Sequence, residues 1–142
     1  MARKLKIDTG AKVFAPYSPG ITVKDHIWLS GQVGVDGGDS IEGQTHSALS
    51  KIDDLLLAAN SSRADLVKVV ILLSDMSDYG VVNEIYGEWL GDAMPPARAA
   101  YQAAGLPLDA LIEIVCEAFR GSGTECPITQ GTRAPLYSPL YC

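Results

Sequence analysis

A few polar side chains sit among apolar or small neighbours: Tyr17, Ser30, Asn83, Arg98, Glu113 and Glu117. Arg98 is the most conspicuous, placed in Pro95-Pro96-Ala97-Arg98-Ala99-Ala100-Tyr101 at the mouth of what reads as a buried strand. A planar, always-charged fork is costly to bury without an anionic partner. The same fork matches a carboxylate through two parallel hydrogen bonds, which marks Arg98 as the anchor for a small acidic ligand. In the segment 111–120, strand alternation puts Glu113 and Glu117 on one face and Ile112, Ile114, Cys116 and Ala118 on the other. A carboxyl whose pKa is brought towards the working pH can position water and move protons. Plainer roles stand beside these. Arg98 and a glutamate can form a structural ion pair, Tyr17 can cover a loop, Ser30 can end a strand, and Asn83 can be a solvated helix residue.

Other chemistries find little support. His26 and His46 lie at a strand start and a helix start, and nothing nearby supplies the orienting partner that a nucleophile-activating triad needs. The three cysteines lack metal-ligand spacing, so no structural zinc site is expected. Gly31 and Gly34 flank Gln32-Val33, but no glycine-rich loop feeds a helix, so no phosphate cradle is expected.

The elements that must position these residues follow from periodicity. Residues 3–8 alternate as an edge strand, and residues 21–23 and 26–34 read as two strands joined at Lys24-Asp25. Ala48, Ile52, Leu55, Leu56 and Ala59 form the apolar stripe of a helix over 43–59, ended by Asn60-Ser61-Ser62. Residues 65–74 form an almost continuous apolar run, which suits a strand covered on both faces. A second helix near 78–90 carries Val82, Ile85, Tyr86 and Trp89, with Asp75, Ser77 or Asp78 as its cap. Pro95-Pro96 prevents that helix from resuming. Strands over 97–104 and 111–120 are joined by a hairpin-like loop, Gly105 to Asp109. Antiparallel pairing across it would bring Arg98 beside a glutamate. The class is therefore α+β, a mixed sheet with two helices on one face. Val69, Ile71, Ile112 and Ile114 are assigned to the uncovered face, which predicts a closed homo-oligomer. One domain spans 1–120. Residues 121–142 form a loop-rich extension whose tyrosines and leucines are expected to pack in part on their own or a neighbouring subunit.

The chain has 142 residues and a formal net charge of -6. Its basic residues are scattered apart from Arg3, Lys4 and Lys6, so neither nucleic acid nor an anionic membrane is an expected partner. No apolar run approaches the roughly 20 residues that span a bilayer. Asp8 and Gly10 stand where a signal core would begin. Reduced cysteines in the cytoplasm, or equally an organelle matrix, are expected.

Six motifs then occur in order: Phe14-Ala15-Pro16-Tyr17-Ser18, Trp28-Leu29-Ser30-Gly31-Gln32-Val33, Leu72-Leu73-Ser74-Asp75-Met76, Val82-Asn83-Glu84-Ile85-Tyr86, Pro96-Ala97-Arg98, and Leu106-Pro107 with Ile112-Glu113-Ile114. This pattern resembles the RidA/YjgF family, the reactive-intermediate enamine/imine deaminases, over about residues 14 to 120. The resemblance implies a chorismate-mutase-like fold and a homotrimer. Its sheets would form an inner barrel, with three ligand clefts between subunits. It also implies roles: Arg98 binds the substrate carboxylate, Glu113 is the site glutamate, Tyr17 the loop tyrosine, Ser30 the strand serine and Asn83 the helix asparagine. Many members carry cysteine two residues after the arginine; here Ala100 lines that position, which excludes a thiol role there. The implied reaction is hydrolysis of short 2-enamino or 2-imino acids, such as 2-aminoacrylate or 2-iminobutyrate, to 2-keto acids and ammonia. It needs no metal, nucleotide or electron carrier, because the substrate is already reactive. A small-carboxylate or 2-keto-acid binding module without turnover is the alternative, and a deaminase for a larger catabolic intermediate also fits the altered lining.

Overall fold

Free amides and carbonyls at the chain's turns decide where the two helices start and stop. Ser40 caps α1 (Ile41–Ala58), its hydroxyl accepting from the Gly43 amide at 3.1 Å. That cap, with Glu42 in the first turn, starts the helix two residues before the apolar stripe suggested. Beyond it Asn60 takes a φ of +55°, and the Ser61 amide donates to the Leu56 carbonyl at 2.9 Å, closing the helix end. α2 (Tyr79–Leu90) has no side-chain cap: Asp75 instead accepts from the Ser77 amide and caps the short 3-10 turn Met76–Asp78 that leads into it.

The computed structural model describes residues 2–123. Among these, β1 (Leu5–Ile7), β2 (Gly20–Val23), β3 (His26–Leu29), β4 (Gln32–Val33), β5 (Leu66–Leu73), β6 (Ala97–Gln102) and β7 (Ile112–Phe119) form one mixed sheet. The order is β1-β2-β3-β7-β5-β6, with β4 also pairing β7. β5 and β6 run parallel, joined through α2, and the other pairs are antiparallel. Ala48, Leu49, Ile52 and Leu56 of α1 and Val82 and Ile85 of α2 close the core over the sheet. Asp53 Oδ2 ties the two helices together, accepting from Trp89 Nε1 at 2.9 Å and Arg63 Nη2 at 3.0 Å. No described helix is long and apolar enough to cross a membrane.

The α+β class and the helix layer agree with the sequence, but four expectations change. First, the strands on either side of Gly105 to Asp109 are not a hairpin, because β5 lies between β6 and β7. The connection passes the end of β5, where the Ala103 amide bonds the Leu73 carbonyl at 2.9 Å and the Ser74 amide bonds the Leu111 carbonyl at 3.0 Å. Alternation tells which residues of a strand share a face, not which strand they pair with. Second, Val69, Ile71, Ile112 and Ile114 lie under the helices, each at most 1% exposed. The uncovered face carries Val70, Leu72, Val115, Trp28 and Tyr101 together with Glu113 and Glu117. Third, 26–34 is two strands. Trp28 pairs with Glu117 but Gln32 with Ile114, so four steps on one side face three on the other: a bulge at Ser30-Gly31. Fourth, Arg98 lies on an edge strand, β6, which is only partly buried. Residues 124–142 of the expected extension lie outside the described residues. At its start the Gly123 amide donates to Asp65 Oδ1 at 2.8 Å.

Candidate active site

Arg98 is in register with Val69, so its side chain leaves β6 on the helix side. Its guanidinium carbon stands 5.1 Å from the Tyr86 ring centre and 5.7 Å from that of Tyr79, both on α2. Nη2 donates to the Tyr79 hydroxyl at 3.0 Å. Among the described residues no carboxylate forms an ion pair with it. One turn along α2, a hydrogen bond from Asn83 and then the Arg98 charge hold the Tyr79 hydroxyl below the usual tyrosine pKa. Asn83 Oδ1 and the Tyr86 hydroxyl are buried without a hydrogen-bond partner, and burial pushes Tyr86 up to about 12. Ala100 follows Arg98 on the same side of β6, in register with Ile71 and packed against the core. The helix side therefore gathers Arg98, Asn83 and Ala100 around two tyrosines.

A second group lies on the open face. Glu113 is half-buried, and burial lifts its carboxyl above the ordinary glutamate pKa. The bulge brings Gly31 against it, so that a Cβ there would stand 2.0 Å from Glu113 Oε1. The crowding is with the end of one flexible side chain, not with backbone. Gly31→Ala is therefore expected to displace the carboxylate. It should cut turnover at least tenfold with little change in stability, read by steady-state kinetics and denaturant titration. Next to Gly31, Ser30 is held by its own backbone and side chain: its amide donates to the Pro19 carbonyl at 2.9 Å and its hydroxyl to the Ser18 carbonyl at 2.6 Å. That hydroxyl remains an acceptor, while its proton braces the loop bearing Tyr17. Tyr17 and Ser30 line an open groove of about 560 Å³ with Pro16, Ile21 and Lys4.

Both groups contain residues of a recognisable pattern, and comparison with known proteins identifies it. A sequence model of the family described as Endoribonuclease L-PSP matches residues 9–120. The chain belongs to the RidA/YjgF family. Among its relatives is the mouse 2-iminobutanoate/2-iminopropanoate deaminase, 40% identical over 112 residues, covering 75% of this chain and 82% of that one. Among solved structures, the Rid-family protein YyfA of Yersinia pestis superposes with a TM-score of 0.78 at 32% identity, covering 82% of this chain and 99% of that one. TdcF of E. coli, solved with bound serine, gives a TM-score of 0.76 at 27% identity, covering 82% and 98%. The two helices and mixed sheet are thus those of the RidA/YjgF fold.

Within this RidA/YjgF chain the two groups do not meet. Arg98 faces the helices and Glu113 the open side, and β5 separates their strands, which puts β6 and β7 about 10 Å apart. The expected neighbourhood of Arg98 with Glu113 or Glu117 is therefore absent within one chain. Glu117 is otherwise engaged, 3.2 Å from His26 Nε2, with the His26 ring stacked on Trp28 at 3.7 Å. Sequence reasoning missed Tyr79, Tyr86 and Gly31 as neighbours of the site. Tyr79 was within reach of it, because a residue four before Asn83 shares its helix face. The closeness of Gly31 to Glu113 depends on the bulge, whose one local signal in 26–34 is Gly31 itself, a glycine inside a strand pattern.

Proposed function

We propose that this protein hydrolyses short 2-enamino and 2-imino acids to 2-keto acids and ammonia, in clefts completed by a neighbouring copy of the chain within a homotrimer. The observation that carries this reading is the Arg98 guanidinium. It is clasped by two tyrosines and lacks a carboxylate partner among the described residues. Such a group is built to grip an organic anion. The names of the related imine deaminases, and the serine bound by TdcF, fit a small carboxylate with nitrogen on its α-carbon. The opposed placement of Arg98 and Glu113 favours a shared cleft, because a single chain cannot offer both to one small molecule. Glu113, Tyr17 and Ser30 of one copy would face Arg98, Asn83 and Ala100 of the next.

The chemistry follows from these positions. Arg98 holds the carboxylate and fixes the orientation of the substrate. An enamine takes a proton on its β-carbon and becomes an iminium. Glu113 accepts a proton from water as the water oxygen bonds the iminium carbon, then returns that proton to nitrogen. The C–N bond breaks, ammonia leaves, and the remaining hydroxyl loses its proton to give the ketone. Tyr17, and Ser30 as an acceptor, orient the nitrogen or the new hydroxyl. The net charge of -6 weighs against a phosphate backbone as substrate. The test is ammonia and keto-acid release from freshly generated 2-aminoacrylate or 2-iminobutyrate. Release well above the uncatalysed rate is expected. Tight 2-ketobutyrate binding with no acceleration would replace the enzyme with a binding module.

A further inference from the structure

The Tyr79 hydroxyl has a more specific part than bracing Arg98. Its oxygen accepts from Arg98 Nη2 at 3.0 Å, and Asn83 stands on the same helix face one turn along α2. With the guanidinium donating to that oxygen, the hydroxyl's own proton has to point away from Arg98 Nη2. Tyr79 is 37% exposed, so the phenol is within reach of a ligand. The guanidinium still has donors to spare, since a guanidinium carries five N–H groups and Tyr79 uses one. A carboxylate seated on the remaining fork would place one oxygen against Nη2, and hence beside the phenol. The side chain of Ala100, two residues on from Arg98 along the same side of β6, is a methyl group and brings no donor to that oxygen.

We propose that Tyr79 is a ligand-binding residue: its hydroxyl donates to the carboxylate that Arg98 grips, making a three-point clasp from β6 and α2. This rests on the reading of Arg98 as the anchor and deepens it. The clasp selects ligands whose carboxylate is unhindered and ionised. It also predicts an alkaline weakness, because a phenolate can no longer donate and repels the anion. Of the other groups around the guanidinium, Asn83 does not titrate and Tyr86 is pushed up to about 12.

The experiment measures the dissociation constant of 2-ketobutyrate from pH 6 to pH 11 for the intact protein and its Tyr79→Phe and Arg98→Ala variants. Tyr79→Phe keeps the ring over the guanidinium and removes the hydroxyl alone. Its binding at pH 7 is expected to weaken about tenfold or more, the scale of a hydrogen bond to a charged group. The alkaline weakening of the wild type should be missing from it. Loss of binding in Arg98→Ala, with Tyr79→Phe binding like wild type, would overturn the clasp and leave the anchor standing. A weakened Tyr79→Phe that keeps the alkaline limb would reduce Tyr79 to a brace and equally overturn the proposal. Undiminished binding by Arg98→Ala would overturn the anchor and the clasp together.

Discussion

Arg98→Ala is expected to lower kcat/KM for 2-iminobutyrate by more than about a hundredfold, the cost of removing one side of a close, desolvated charge pair. The loss should fall on binding and on rate together. In the proposed mechanism the guanidinium would hold the substrate and also fix its angle to the attacking water. The folded chain should be little affected, because the arginine makes one hydrogen bond, to Tyr79, and forms no ion pair among the described residues. Arg98→Lys should be nearly as impaired, since an ammonium keeps the charge but lacks the planar fork and its stacking between Tyr79 and Tyr86. Kinetics with a thermal melt on the same samples check this: an inactive variant with an unchanged melt is the expected result, and a lysine variant with near-normal kcat/KM contradicts it.

Glu113→Gln should lower kcat by about 10²–10⁴-fold, the usual range for a positioned proton-transfer group, while binding of 2-ketobutyrate stays close to wild type. The pH dependence has a definite sign. Burial lifts this carboxyl above its ordinary pKa, and it works as a base only when ionised. Wild-type turnover should therefore fall as pH drops through that lifted value, an acid limb lying higher than an exposed glutamate would give. The glutamine variant should lack the limb. The same shift acts on stability in the opposite direction. A carboxyl whose folded pKa is raised opposes folding once it ionises, so the cost is absent in acid and fully present above the lifted pKa. At pH 7 the glutamine variant should melt no lower than wild type, and its melting curve should change less with pH. Unchanged kcat would move the proton role to solvent or backbone.

The sequence carried the faces of the fold better than its neighbourhoods. The stripe of Ile52, Leu55 and Leu56 locates α1, and the alternation of Ile112, Glu113 and Ile114 shows which residues of β7 share a side, because burial imposes those periods directly. Pairing is not periodic. The parallel partnership of β5 with β6 places Arg98 on the far side of β5 from Glu113, and nothing in 97–104 or 111–120 announces it. Nor does alternation say which side the helices cover: Val69, Ile71, Ile112 and Ile114, expected on the open face, lie under them. The positions singled out for chemistry, Tyr17, Ser30, Asn83, Arg98, Ala100 and Glu113, do fall into compact groups, but into two. A list of residues in order along one chain does not tell that its members can sit on opposite faces. The phenol over Arg98 and the void that Gly31 leaves for Glu113 are likewise products of three-dimensional packing.

That separation has a genetic consequence. On the proposed reading Arg98→Ala and Glu113→Gln, each strongly impaired alone, would damage different halves of a shared cleft. When the two preparations are unfolded together and reassembled as the proposed trimers, every mixed particle regains one cleft with both halves intact. Random association at equal ratio would restore about a quarter of the wild-type clefts. A mixture as dead as its components would show that each polypeptide carries its whole apparatus, or that assembly follows another symmetry.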